Sequence, residues 1–458
     1  MRIEKDAIGK INVPEDKYWG AQTQRSLHHF PAGHPWPEVV ISSFGLLKSC
    51  CAKANTSLDL LETNTSAAIQ KAADEVRQGK LNQHFPVRVF QTGSGTHSNM
   101  NANEVIANRA NEILGQPLGE NHPVHPNDHV NMGQSSNDVF PTVMHIALCR
   151  EIHGRLIPTL EQIHLAFEQK MSEWDGIVKT GRTHLQDAAP LTLAQEVSGW
   201  AAQIHFAIQQ LKNAAETLLP LALGGTAVGT GLNAHPSFAE LVCDQLASIT
   251  ELQFHPAPNR FAALASHEPL LQVSSALKIT ASALMKIAND VRWLGSGPYC
   301  GLGELTLPAN EPGSSIMPGK VNPTQCEAIT QICVQIYGHD AAVGFAASQG
   351  NFELNVYKPV MLHNILEPIE LLCTALPAFK NYCIDGLKAN KKKINDDLNR
   401  NPMLATALNQ HIGYEKASEI VKYALKNNLP LKESAQALEY VTEEEYDEWV
   451  QPLAMTHH

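Results

Sequence analysis

Between residues 136 and about 350 the apolar residues recur at intervals of three and four for twenty residues or more at a time. That spacing predicts helices with one buried face. Val197, Trp200, Ile204, Ile208, Leu211, Ala215 and Leu218 form one such run. Leu270, Val273, Leu277, Ala281, Leu284, Ile287, Val291 and Leu294 form another, and predict a helix about 37 Å long at ~1.5 Å per residue. The other faces of this second helix carry Ser274, Ser275, Ala276, Thr280, Ser282 and Ala283, with almost no charge. A helix buried on more than one side belongs inside a bundle, so the region reads as an oligomer core in which bundles of several subunits pack together. A large monomeric helical domain is the other reading of the same pattern.

The flanks differ from this centre. The first 135 or so residues mix short apolar runs with turn formers, as in Pro31 to Pro37, and end in a polar, glycine-rich stretch from Gln91 to Asn103. After about residue 355 charge returns, through Lys388 to Arg400 and Glu443 to Glu448. The expected class is mainly α, with a mixed N-terminal domain over 1–135, a central helical bundle over 136–352 and a small helical C-terminal domain over 353–458. A length of 458 residues suits three domains, or two with one large.

Composition narrows the partners. Lys and Arg number 34 against 46 Asp and Glu, a net charge of −12, which argues against nucleic acid. The one dense basic run, Lys388 to Lys393, reads as a solvated helix face. The longest stretch without a charged residue, Thr217 to Ala239, holds Pro220, Pro236 and four glycines and cannot span a membrane. Met1 is followed by Arg2, Glu4, Lys5 and Asp6 instead of an apolar signal segment, so the expected compartment is the cytoplasm. Nine cysteines without a CxxC pair read as reduced and mostly buried. His457 and His458 are too few for a purification tag.

Three motifs mislead. Gly229 to Ala234 (GTGLNA) fits a dinucleotide fingerprint, but it lies between long helices and lacks the βαβ frame. Gly313 to Val321 resembles a P-loop with one residue too many, and Val321 stands where a hydroxyl would hold magnesium. His122, His125, Asp128 and His129 are ligand-type residues, but Pro123 and Pro126 break the helix that would align two of them. No metal and no cofactor are therefore expected.

Four segments are rich in polar groups without a structural need. In Gly93 to Glu104, glycines admit close backbone approach while Ser94, Thr96, Asn99 and Asn101 offer neutral donors suited to a carboxylate. A turn capping the next helix explains the same residues. In His125 to Asp138, Ser135, Ser136 and Asn137 precede a long helix, whose start is an anion site and whose ordinary N-caps are also Ser and Asn. In Gly181 to Pro190, Arg182 and His184 could be an anion clamp and a general acid or base, although a lone histidine is commonly structural. In Gly313 to Glu327, two serines, Lys320 and Asn322 crowd a loop shaped by glycines and prolines, with Glu327 opening an apolar helix. The residues alone point to an enzyme that binds a small anion at a helix-bundle interface.

These segments resemble the class II fumarases of the fumarase/aspartase superfamily along essentially the whole chain. GSSIMPGKVNP is similar to the signature loop, QTGSGTHSNMNANEVIANRA and HPNDHVNMGQSSNDVFPT to two further blocks, and IGYEKASEIVKYALKNNLPLKESA to the C-terminal domain. The resemblance implies interconversion of fumarate and L-malate without a cofactor, by a homotetramer whose active sites each draw on three subunits. It implies Ser314 as the proton abstractor, His184 as the residue handling water's proton, and Glu327 as its orienting acid. Substrate would be held by Ser94, Gly95, Thr96, Ser135, Ser136, Asn137, Thr183, Ser315, Lys320, Val321 and Asn322. His125, Pro126, Asn127 and Asp128 would form a second anion site, weakened because an Arg of some relatives is His122 here. Aspartate ammonia-lyase is the alternative activity, set back because such members usually carry Gln where His184 stands. A structural role, as in lens crystallins, fits poorly with an intact set of Ser314, His184, Lys320 and Glu327.

Overall fold

The computed structural model describes residues 1–456, so the histidine pair at 457–458 lies outside the described residues. Both long periodic runs are helices, Leu193–Glu216 and Glu268–Leu294. All eight apolar positions of the second are buried, as are Ser274, Ala276, Thr280 and Ala283 from its other faces. The seven positions of the first are buried too, with Leu218 two residues past the helix end. Further helices run Ser136–Glu151, Ile157–Glu173, Thr324–Ala347 and Lys358–Phe379. Strands among the described residues form four two-stranded ladders, and the fold is mainly α as expected.

The N-terminal stretch is more helical than its pattern suggests. Glu38–Ser57 buries fourteen of twenty residues, and Thr96–Ile113 buries Asn99, Asn101, Asn103, Glu104, Asn108 and Asn111 with its apolar positions. A helix covered on nearly every side shows no alternation of polar and apolar residues. Burial, not a lack of helix, hid the period.

The chain divides into two compact units, each of three stretches. The first takes Met1–Pro158, Gln209–Ile279 and Val334–Cys373. Its core sets Phe44 and Trp36 against Phe140, with ring centroids 6.2 and 5.9 Å away. Glu104 anchors the short helix Ala21–His29, because its carboxylate accepts the free N–H groups of Gly20, Gln22 and Thr23 at 2.8, 2.8 and 3.1 Å. Burial nevertheless pushes this carboxyl up to about 7.

The second unit takes Thr159–Ile208, Thr280–Cys333 and the chain from Thr374 onward. Phe167 meets Trp200 edge-on, and the Trp200 indole donates to Asp290 at 3.0 Å. Its C-terminal helices close over Leu404, Leu408, Ile420, Leu431 and Val441. A hairpin pairs Val178–Thr183 with Gln186–Thr192 and leaves only His184 and Leu185 in the loop. The expected basic face is not one helix: Lys388 and Ala389 pair with Leu305–Thr306, and the helix begins at Lys391. Seven of the nine cysteines are buried, Cys300 is exposed, and all are free thiols. No helix of the described residues is long and apolar enough to cross a membrane.

Candidate active site

The candidate residues form two groups, one in each unit. In the first unit, two helix starts meet. Gly95 precedes Thr96–Ile113 with φ +79°, and a side chain there would collide with the Phe140 ring of Ser136–Glu151. Gly93 is equally confined, against the backbone of Val356. Ser94 and Thr96 share a hydrogen bond of 2.8 Å beside this start. At the other, Ser135 is the N-cap in a capping box with Asp138, and the Asn137 amide donates to the Ala227 carbonyl at 2.8 Å. Asn99 ties the two together by donating to Ser136 Oγ at 3.0 Å. Since Ser136 Oγ accepts from Asn99, its own O–H is free to donate to an anion. The sequence-expected donors Ser94, Gly95, Thr96, Ser135, Ser136 and Asn137 are thus gathered around two helix dipoles of the same sign.

Asp138 supports this arrangement from beneath. Fully buried, it accepts N–H bonds from Ser135, Gly224 and Thr226 at 2.9, 3.0 and 2.9 Å, yet burial still pushes its carboxyl up to about 6. Packed against Thr96–Ile113 and Glu38–Ser57, Pro126–Val130 makes one wide turn. His125 Nδ1 accepts from the N–H groups of Asn127 and Asp128 at 3.3 and 3.2 Å, and Asp128 Oδ2 lies 3.2 Å from that nitrogen. Two N–H groups that could bind an anion are therefore already engaged.

In the second unit, His184 and Leu185 have φ +55° and +60°. Positive φ at both positions marks the type I′ two-residue hairpin loop, which Asn-Gly adopts easily and His-Leu does not. The strained turn holds His184 exposed at the hairpin tip, with Thr183 exposed beside it. Beneath it lies a buried charge network. Glu304, with no exposed surface, receives Arg182 at 2.7 Å and Lys179 at 3.0 Å, and Lys179 also reaches Glu196 at 3.1 Å. Arg182 Nη1 is thus committed to this scaffold pair.

The polar loop is cinched at its base, where Gly313 N–H meets the Lys320 carbonyl at 3.1 Å and the Asn322 amide donates to the Gly313 carbonyl at 2.7 Å. Inside it, Ser314 Oγ accepts N–H bonds from Ile316 and Met317, both 3.2 Å. Ser315, Lys320 and Val321 are exposed, and Lys320 has no ion-pair partner among the described residues. Glu327 opens the helix Thr324–Ala347 and is exposed. Within one chain, no side-chain hydrogen bond of His184 or Glu327 is found among the described residues, so the two are not paired there.

Sequence reasoning missed the groups behind the first cluster. Asn131 Oδ1 accepts from Lys48, Asn99 and Asn103 at 3.0, 3.1 and 3.1 Å. Asn99 was singled out only as a direct donor. Lys48 sits in an apolar stretch, and a charged residue there was the one available signal.

Two family models match, one described as Lyase over residues 9–338 and one as Fumarase C C-terminus over 404–457. The chain is 57% identical to a class II fumarate hydratase of Thermus aquaticus, over 99% of this chain and 98% of that one. It is 56% identical to the mitochondrial fumarate hydratase of Saccharomyces cerevisiae, over 99% and 94%. A crystal structure of class II fumarase from Schistosoma mansoni superposes with a TM-score of 0.97 at 43% identity, over 99% and 98% of the two chains.

Proposed function

The chain belongs to the class II fumarate hydratase family, and from that premise we propose that it interconverts fumarate and L-malate by reversible addition of water, the hydro-lyase step of the tricarboxylic acid cycle. The observation that carries the reading is the junction of two helix starts at Asn99 and Ser136. There a carboxylate meets neutral donors and two helix dipoles, and is bound without a salt bridge that would resist release.

The chemistry requires loss of a proton from carbon next to a carboxylate, so charge moving onto that carboxylate must be stabilised as the proton leaves. Ser314 is the proposed abstractor. Two N–H donors on its Oγ favour the ionised oxygen over the hydroxyl, which supports this role. Lys320, Asn322 and Thr183 are proposed to stabilise the carboxylate, with Ser315 and Val321 shaping the same loop. His184 would handle the proton of the added or departing water, oriented by Glu327.

Because His184 and Glu327 are unpaired in one chain, the proposed active site is completed by other copies. We read the protein as a homotetramer whose sites draw on three subunits. Exposed apolar residues support this, with Phe345 at 70% and Val334 at 64% on the Thr324–Ala347 helix. The three-domain division at 135 and 352 stays a proposal beside the two compact units, and the match over 404–457 falls inside its third domain. The second anion site at His125 to Asp128 is proposed to be weak, since its N–H groups are engaged. Buried, free thiols support a cytoplasmic setting.

The test follows fumarate's ultraviolet absorbance with L-malate in one cuvette and L-aspartate in another. Signal from malate alone supports hydration. Signal from aspartate alone would replace it with ammonia addition.

A further inference from the structure

Lys48 is buried completely in the middle of Glu38–Ser57, in an otherwise apolar and small-residue neighbourhood. No carboxylate lies at ion-pair distance from it among the described residues. Its Nζ donates to Asn131 Oδ1 at 3.0 Å and to Gln134 Oε1 at 2.8 Å, which leaves one N–H unassigned. A buried ammonium is among the least favourable groups in a protein interior, and here two neutral amide oxygens are its only hydrogen-bond acceptors among the described residues.

The amides lead directly to the anion site. Asn131 Oδ1, which receives Lys48, also receives Asn99 Nδ2 at 3.1 Å, and the same Asn99 nitrogen reaches Ser136 Oγ at 3.0 Å. Asn103 Nδ2 closes on Asn131 Oδ1 as well, at 3.1 Å. Three donors converging on one oxygen concentrate positive potential beneath the two helix starts. Asn99 Oδ1 and Asn103 Oδ1 are buried without a donor, so the network is left short of negative charge and of protons on its acceptors alike.

We propose that Lys48 is a positioning residue for dicarboxylate binding: it acts through Asn131 and Asn99 on Ser136, and an anion bound at the helix starts is accompanied by a proton taken from the buffer onto Lys48 Nζ. The proposal rests on the assignment of Ser136 to the substrate site. Burial holds the empty-site amine down to about 7, so near neutral pH it is divided between its two forms. A dianion arriving at the site favours the charged form. The groups that face the amine are Cys51 on its own helix and Asp138 on Ser136–Glu151. The helices Thr63–Arg77, Thr96–Ile113 and Phe238–Thr250 and the turn Pro126–Val130, which carries Asp128 and His129, also pack on Glu38–Ser57, and among the described residues none brings a charged group to Nζ. Cys51 is no competitor for the proton, because burial already keeps its thiol protonated. Asp138 is one, since burial raises its carboxyl to about 6, so it competes for a proton at the acid end of the range and less as pH rises.

The experiment is titration calorimetry of the intact enzyme with succinate, a non-reacting dicarboxylate, in phosphate, HEPES and Tris at pH 6.5 to 9. The dependence of the heat on buffer ionisation gives protons taken up per site. Wild type is expected to take up as much as about one proton near pH 8. Lys48→Met should abolish the uptake and weaken succinate binding roughly tenfold or more, with KM for L-malate rising more than kcat falls. Uptake that persists unchanged in Lys48→Met would assign the proton to Asp138 or another group and overturn the proposal. Should that variant fail to fold, Lys48→Arg takes its place: a guanidinium stays charged throughout this pH range, so uptake that persists unchanged in it overturns the proposal equally. Activity on malate without proton uptake rejects Lys48 and leaves the functional reading standing, whereas proton-coupled succinate binding without activity does the reverse.

Discussion

Arg182 Nη1 lies 2.7 Å from Glu304 Oε1, and the carboxylate it meets has no exposed surface. Two residues later the chain turns at His184, so the register of the hairpin is fixed by a buried ion pair and its tip is left free for chemistry. Removing Glu304 strands Lys179 and Arg182 without their shared partner. Glu304→Ala should therefore lower stability by roughly 3–5 kcal/mol in urea unfolding. A loss under about 1 kcal/mol would mean that Glu196 alone holds Lys179 and that the hairpin is anchored elsewhere.

Leu185 carries backbone strain and little burial, being 67% exposed at φ +60°. Glycine relieves the left-handed conformation, and Leu185→Gly should leave stability unchanged or raise it by up to about 1 kcal/mol. A thermal scan that shows a clear loss would place the leucine side chain in a contact made only in the assembled protein.

His145 is buried with Nδ1 at 2.9 and 3.0 Å from the Leu218 and Pro220 carbonyls, and burial pushes its ring down to about 4 from an ordinary 6.5. Below pH 6.5 the unfolded chain gains a proton that the folded chain refuses until about pH 4, so this contribution to stability is full above 6.5 and falls as pH falls. The slope is about 1.4 kcal/mol per pH unit. Glu104 and Asp138, whose carboxyls are pushed up by burial, oppose it by losing stability as pH rises. Comparison of wild type with His145→Gln isolates the histidine: their difference should shrink steadily from pH 6.5 to 4, and a constant difference would show that the ring titrates normally.

Phe345 and Val334 expose 70% and 64% of their surface on one chain. Sedimentation equilibrium should give four times the 50.1 kDa of the chain. Phe345→Glu is expected to lower that mass and the activity together. Full activity in a dissociated variant would contradict sites shared between copies.

Much of this was legible in the sequence. Leu270 to Leu294 announced their helix because large apolar residues keep to one face while the other faces carry small or hydroxyl side chains, and Ser135 announced a helix start because its side chain caps one. Glu38–Ser57 gave no such signal, since burial on nearly all sides erases the period. Ser94, Ser136 and Ser314 were found as polar residues without a structural need. The Arg182–Glu304 pair was not legible, because a buried partner 122 positions away leaves no local trace. Lys48 escaped for the same reason: its role depends on Asn131, 83 residues on.

In the proposed reaction Ser314 and His184 act directly on L-malate. The most direct measurement is the rate of absorbance increase from L-malate for wild type, Ser314→Ala and His184→Asn, each verified as folded and of the same mass. Rapid fumarate formation is expected from wild type, with losses of at least about 100-fold in both variants. Near wild-type rates in either variant, or a wild type active on L-aspartate and silent on L-malate, would contradict it.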